Sequence, residues 1–203
     1  MPSAVRLSIF IGLALVVAAA LAGLTMFGLS RAGVGATADD AQKTLERYGQ
    51  VPEFSLTNQD GQTVTGESLR GRVWVADFIF TRCPSICPTM TANMAGFQRW
   101  LGKQPWGEDV RLVSFSVDPE HDDPKTLRQF AKGHDAKLDQ WHFLTGVSQQ
   151  TMWQLSEQGF KLTAGQSDSD IMPITHTAKF VLVDREGTIR GYYTGTNREG
   201  LDK

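Results

Sequence analysis

The chain has 203 residues, 41% of them hydrophobic and 21% charged, which leaves room for one ordinary domain plus a short appendage and excludes a disordered chain. Its net charge is −2, so it lacks the basic excess by which proteins hold phosphate backbones, and no nucleic-acid partner is expected. Setting aside residues 1–30, whose only charged side chain is Arg6, leaves 19 basic and 22 acidic residues, a balance with no attraction for anionic lipid surfaces either.

Leu7 to Ser30 is a run of 24 positions without a charged side chain. A bilayer-spanning helix needs about 20 mostly apolar residues, whereas the apolar core of a signal peptide runs to about 7–15. Length therefore favours an uncleaved membrane anchor over residues 1–30, and Ala18-Ala19-Ala20-Leu21-Ala22 is the place where a cleaved signal would end instead. Arg6 and the α-amino group precede the run, so the positive-inside rule puts the N-terminus in the cytoplasm and the remainder outside. No cysteine lies near it, which excludes a lipoprotein anchor. Residues 31–50 read as a tether, small and polar at first and then helix-compatible through Leu45. A globular domain is expected over 51–203.

Within that domain, Phe54–Leu56 and Thr63–Thr65 flank Asn58-Gln59-Asp60-Gly61, a hairpin signature. Val73 to Phe80 is a nearly continuous apolar run, as in buried central strands. A helix is expected from about Pro88 to Leu101, with Met90, Met94, Phe97 and Leu101 on one face. Val110–Val117 reads as a second buried strand. Asp123 then offers an N-cap and Pro124 the first helical position for a helix through Ala131. Phe143 and Leu144 mark a short strand, and Ser148 caps a helix through Glu157. Ala178–Val183 and Thr188–Tyr193 form two strands joined by the turn Asp184–Gly187. This order predicts a parallel sheet with right-handed crossovers, closed by an antiparallel hairpin: a thioredoxin-like α/β sandwich.

The chemistry gathers at Phe80-Thr81-Arg82-Cys83-Pro84-Ser85-Ile86-Cys87-Pro88. Cys83 and Cys87 are the only two cysteines, and they stand where a buried strand gives way to a helix, the edge at which α/β sheets build sites. If the segment is helical, a spacing of four puts both sulfurs on one side, with Cβ atoms about 5–6 Å apart. A helix N-terminus favours thiolates over thiols. Such a pair suits Cu(I) or Zn as a soft ligand set and can also close a redox-active disulfide. As a mere staple it would gain little, because so short a loop loses little entropy on closure.

Two thiolates need a third metal ligand, and four histidines are available. His134 falls in a polar turn and His142 beside Trp141 on a short strand, both positions of surface or packing residues. His121 sits in the acidic loop Asp118-Pro119-Glu120-His121-Asp122-Asp123, where carboxylates can hold it. His176 precedes the long strand beginning near Lys179, in the loop that in thioredoxin-like folds packs against the cysteine turn. It is the favoured third ligand, with His121 as the alternative. Most such folds carry a cis-proline in that loop, whereas here Pro173 lies several residues upstream.

These segments together resemble the Sco/SenC family, copper chaperones for the Cu-A site of cytochrome c oxidase. The resemblance rests on Phe80 to Pro88, on Ser116-Val117-Asp118-Pro119-Glu120 and on His176-Thr177, and it spans Val51 to Gly195. It implies Cys83, Cys87 and His176 as copper ligands, with Asp118 tuning the site from nearby. It also implies a domain facing the periplasm from the inner membrane, and the Cu-A domain of cytochrome c oxidase subunit II as the acceptor of the copper ion. The family and the fold continue into a final helix where this sequence stops at Thr196–Lys203, so the chain reads as a fragment lacking it. Two other readings compete. One is a membrane-tethered thiol-disulfide reductase, although such enzymes of this fold usually carry Cys-x-x-Cys and the cis-proline. The other is a peroxidase, whose motif Thr81-Arg82-Cys83 matches only loosely.

Overall fold

Every side chain from Trp74 to Ile79 is buried, so this segment can only be a central strand covered on both faces. The computed structural model describes residues 45–166 and 174–197, without the side chain of Thr175. The anchor, most of the tether, Pro173 and the last six positions lie outside the described residues. Among the described residues, no helix is long and apolar enough to cross a membrane.

The strands are β1 (Gly49–Gln50), β2 (Ser55–Asn58), β3 (Thr63–Thr65), β4 (Val73–Ile79), β5 (Val110–Ser116), β6 (Trp141–Thr145), β7 (Ala164–Gln166), β8 (Ile174–His176), β9 (Lys179–Val183) and β10 (Thr188–Thr194). Helices α1 (Ile86–Leu101), α2 (Pro124–Gly133) and α3 (Gln149–Gln154) complete the set, the last continuing into a π turn at Leu155–Gly159. Eight strands form one mixed sheet in the order β1-β10-β9-β4-β5-β6-β2-β3, and β7 pairs with β8 separately. The parallel part is β4-β5-β6. It is flanked by antiparallel strands on both sides, β9 and β10 on one and the β2–β3 hairpin on the other. The fold is thus the mixed α/β thioredoxin-like one, with the hairpin joined to the main sheet through β6.

Local chemistry fixes the element ends. Asn58 Oδ1 accepts from the N–H groups of Asp60 and Gln62 at 2.9 Å each, and Gly61 supplies the positive φ of +75° that the turn needs. The Asp123 carboxylate accepts from Thr126 N–H at the start of α2, with Pro124 behind it in the first turn. Ser148 caps α3 in the same way through Thr151 N–H. Helix α1 buries Cys87, Met90, Thr91, Met94, Ala95, Gln98 and Leu101 along one face, the spacing of a helix packed on a sheet. Near its C-terminal end, the Gln98 amide both donates to the carbonyl and accepts from the N–H of Lys137, each at 2.9 Å.

Between the layers lies an aromatic core. Phe78 stacks on Phe115 with centroids 5.1 Å apart, and both meet Phe160 at 5.2 and 5.3 Å. These fully buried rings hold the central strands at fixed spacing. Replacing the α2 cap, Asp123→Ala, should lower stability by about 1 kcal/mol. Urea unfolding checks this; an unchanged midpoint would mean that the cap contributes nothing to the folded state.

Candidate metal centre

Strand pairing dictates where the site forms. In parallel register Ile79 lies opposite Ser116, so the loops leaving β4 and β5 emerge side by side at one edge of the sheet. Strand β9 runs antiparallel to β4, with Ala76 opposite Val181. Its N-terminal end therefore meets the C-terminal end of β4, and the residues just before β9 arrive beside the cysteine loop. His176 is among them, as the last residue of β8, where it pairs with Ala164 of β7. It had been expected in a loop; a short ribbon holds it instead.

Cys83 Sγ, Cys87 Sγ and a ring nitrogen of His176 all lie within 4.8 Å of one another. The closest approach is 2.9 Å, between Cys87 Sγ and His176 Nε2. All three residues are buried, and Phe80 packs edge-on against the imidazole at 5.6 Å. Neither cysteine is in a disulfide. Two sulfurs and an imidazole converging in this way are a soft donor set with room for one ion.

The two cysteines are not on one helix, as a simple spacing of four would have it. Helix α1 starts at Ile86, two residues before the expected Pro88, so Cys87 lies in its first turn and Cys83 in the preceding turn. Pro84 disfavours a helical conformation for Cys83. Cys87 also precedes a proline, but at the start of a helix the missing Pro88 N–H has no intrahelical partner to lose. Cys83 N–H closes the turn on the Phe80 carbonyl at 3.2 Å, and Ser85 Oγ lies 3.7 Å from Cys83 Sγ.

This asymmetry separates the thiols chemically. Burial pushes the Cys83 thiol up, but hydrogen bonds from His176 and from the backbone N–H groups of Cys87 and Ser85 outweigh it and bring it to about 6. Cys87 moves the other way: burial drives it well above the ordinary thiol range, and the Cys83 sulfur and the Asp77 carboxylate add to the rise. The helix N-terminus was expected to favour both thiolates, and at Cys87 desolvation wins.

A polar clamp holds the cysteine turn. Fully buried Asp122 accepts from Thr81 N–H at 3.0 Å, Thr81 Oγ1 at 2.5 Å and Ser116 Oγ at 2.6 Å. It escaped sequence reading because nothing distinguishes it from its neighbour Asp123. Asp118 is buried next to it and binds Arg82 Nε at 2.6 Å, His121 Nδ1 at 2.9 Å and Gln149 Nε2 at 3.0 Å. Burial opposes its charge, yet the hydrogen bonds with His121, Arg82 and Gln149 prevail and hold the carboxyl below the usual range. Asp118 thus touches the residue before Cys83 rather than the sulfurs. Half-exposed His121 is engaged by Asp118 and stands outside the Cys83–Cys87–His176 cluster. His134 ends α2 with its ring on Phe130, and His142 lies in β6.

Asp77 also went unremarked in the sequence, although a charged residue inside a buried strand is a signal in itself. Its Oδ1 accepts from Ser114 Oγ at 2.6 Å, and Ser114 in turn accepts from Trp141 Nε1 at 2.9 Å. Burial pushes this carboxyl up to about 7, against the Ser114 hydrogen bond and the attraction of the His176 imidazole.

The fold and this three-residue cluster define a thioredoxin-like protein with a soft metal site. The SCO1/SenC family model matches residues 42–200, and the chain belongs to that family. It is 42% identical over 153 residues to the SCO1 protein homolog of Bacillus subtilis, covering 75% of this chain and 78% of that one. Among solved structures it resembles BsSco, described as a member of the Sco family of cytochrome c oxidase assembly proteins with a disulfide switch; identity is 40%, TM-score 0.70, and coverage 79% of this chain and 92% of that one. It also resembles Bradyrhizobium japonicum ScoI with copper bound, at 26% identity and TM-score 0.63, covering 75% of this chain and 98% of the other.

The thiol asymmetry has a direct readout. In the reduced, metal-free chain, iodoacetamide should label Cys83 first, with a rate that rises through about pH 6 and levels off above it, since only the thiolate attacks. Cys87 should stay unlabelled until the protein is unfolded. Equal labelling of both thiols at neutral pH would refute the asymmetry.

Proposed function

We propose that this chain binds one copper ion through Cys83 Sγ, Cys87 Sγ and His176 Nε2 and delivers it to the Cu-A site of cytochrome c oxidase subunit II. The observation that carries the reading is the convergence of two sulfurs and one imidazole within 4.8 Å in a buried pocket of the fold. Thiolate sulfur selects Cu(I), and imidazole also suits Cu(II), so the mixed set serves both oxidation states. The copper-bound Bradyrhizobium japonicum ScoI and the oxidase-assembly role printed for BsSco support the same reading. Copper is cargo here. The chain's own part is to present a preformed thiolate at Cys83, to release the Cys87 proton on loading, and to keep water from the sulfurs by burial.

Reconstitution of the full-length chain with Cu(II) should give strong sulfur-to-metal charge transfer and one copper per chain. Cys83→Ser and Cys87→Ser should each abolish it. His176→Ala should weaken binding by more than the roughly 10–100-fold that loss of an outer-shell partner costs, whereas His121→Ala should change it little. An unchanged spectrum and affinity in His176→Ala would remove His176 from the ligand set and make His121 the candidate.

The thiol asymmetry favours one second reading, a thiol-disulfide reductase in which Cys83 attacks and Cys87 resolves. Imidazole is required for metal ligation, whereas in disulfide exchange it only assists, by lowering the Cys83 thiol. Cells carrying His176→Ala should therefore lose cytochrome c oxidase activity at low copper and regain it with added copper if delivery is the role. Normal activity in that mutant at low copper would leave the reductase reading.

For location, we propose a single-pass inner-membrane protein with its domain in the periplasm, on the uncharged run from Leu7 to Ser30 and the flanking Arg6. The chain should stay with membranes after alkaline extraction and be open to protease from the periplasmic side. Recovery of a soluble form beginning between Ala20 and Gly35 would replace the anchor with a cleaved signal.

A further inference from the structure

A β-turn over Phe80–Cys83 delivers the first cysteine, its Cys83 N–H donating to the Phe80 carbonyl at 3.2 Å, so Thr81 and Arg82 are the two central residues. Where such a turn directs its last residue depends on how its central residues are set. Both are gripped from the loop after β5, but not equally. Asp118 reaches Arg82 only at Nε, along a side chain that is 45% exposed. Asp122 takes the Thr81 backbone N–H itself at 3.0 Å and the short Oγ1 at 2.5 Å.

The mount behind Asp122 is closed on itself. Ser116 Oγ donates to the carboxylate at 2.6 Å and accepts from Asp118 N–H at 3.1 Å. The Asp118 carbonyl accepts from the N–H groups of His121 and Asp122 at 3.1 and 2.9 Å, and Val117 N–H ties the loop to the Ile79 carbonyl at 2.9 Å. Asp122 is fully buried, and hydrogen bonds to a carboxylate are among the strong ones. Cys87, by contrast, belongs to α1, where its carbonyl accepts from Thr91 Oγ1 at 2.8 Å. The two sulfurs are unbonded and lie within 4.8 Å of each other, whereas a disulfide needs them at about 2.05 Å. Closing that bridge has to move the Cys83 turn, against the hold of Asp122 on Thr81.

We infer that Asp122 is the positioning residue for Cys83. By holding Thr81 it keeps the Cys83 sulfur beside the Cys87 sulfur but unbonded to it, and so biases the pair toward the open dithiol that can take a metal. The role rests on the proposed use of Cys83 and Cys87 as ligands, and it is exerted through Thr81 alone. An external dithiol that opens the bridge passes two electrons and two protons to the cysteine sulfurs and becomes a cyclic disulfide itself. Equilibrium with dithiothreitol therefore reads the bias without any metal.

The test is that equilibrium for the full-length, metal-free chain in mixtures of reduced and oxidised dithiothreitol, quenched and alkylated to count free thiols. Thr81→Val keeps the side-chain shape and loses the hydroxyl. It should favour the disulfide about three- to tenfold more than wild type, a part of what a hydrogen bond to a charged group is worth. Asp122→Ala should favour it at least as much. Thr81→Ser restores the hydroxyl and should match wild type. Asp123→Ala, which removes the α2 cap without touching Thr81, should also match it. An unmoved or weakened disulfide in Thr81→Val overturns the inference. So does an equal shift in Thr81→Ser, or one in Asp123→Ala, which would mark general loosening. If Asp122→Ala does not fold, the two Thr81 variants decide. The expected shifts in a chain that takes up no copper would overturn the copper reading and leave the Asp122 role standing. Normal copper uptake with an unmoved thiol equilibrium would do the reverse.

Discussion

The antiparallel seating of β9 against β4 is the constraint on which the site depends. Cys87 and His176 are 89 positions apart in the chain, yet their side chains meet at 2.9 Å. The meeting is possible because β4 ends where β9 begins, so the cysteine turn and the residues before β9 occupy the same edge of the sheet. Parallel pairing of β4 with β5 adds the acidic loop to that edge. Three segments with no local reason to be neighbours are thus brought together by backbone pairing, and the aromatic rings of Phe78, Phe115 and Phe160 keep the strands at fixed spacing.

Around this edge the polar residues divide the work. Asp122 fastens the backbone and hydroxyl of Thr81, Asp118 holds Arg82, and both lie in the loop that follows β5. The turn bearing Cys83 is therefore tied to the neighbouring loop through the two residues before the cysteine. Burying carboxylates is costly unless they are hydrogen-bonded, and here each carboxylate oxygen of Asp118 and Asp122 has at least one donor. Outside the clamp, Oδ2 of buried Asp77 has no hydrogen-bond partner among the described residues.

What the sequence disclosed follows from how locally each feature is encoded. Strands β4, β5 and β9 show as largely apolar runs because burial leaves little choice of residue, and β10 shows through the Asp184–Gly187 turn that precedes it. The Asp123-Pro124 start of α2 and the Asn58–Gly61 turn show because capping and turn geometry involve only adjacent residues. The pairing of β7 with β8 does not show. Ala164–Gln166 and Ile174–His176 carry no alternating pattern of any length, and the strands exist because of their partners. The cysteine pair and His176 were legible by residue type and place. The different environments of the two sulfurs were not, since they arise from where the helix begins and how deeply its first turn is buried. Asp122 and Asp77 were hidden for opposite reasons: one among similar acidic neighbours, the other inside a run read only for its hydrophobicity.

The double hydrogen bond between Gln98 and the Lys137 backbone has a mechanical consequence at the other end of α1. Gln98 lies three turns beyond Cys87 on the same buried face, so the helix is latched along its axis to the loop beyond α2. Sliding α1 by even a fraction of a turn would break both bonds at once. The Cys87 sulfur therefore behaves as a fixed post. Any change in geometry at the cluster therefore falls on the turn bearing Cys83 and on the ribbon bearing His176, with Cys87 as its stationary point.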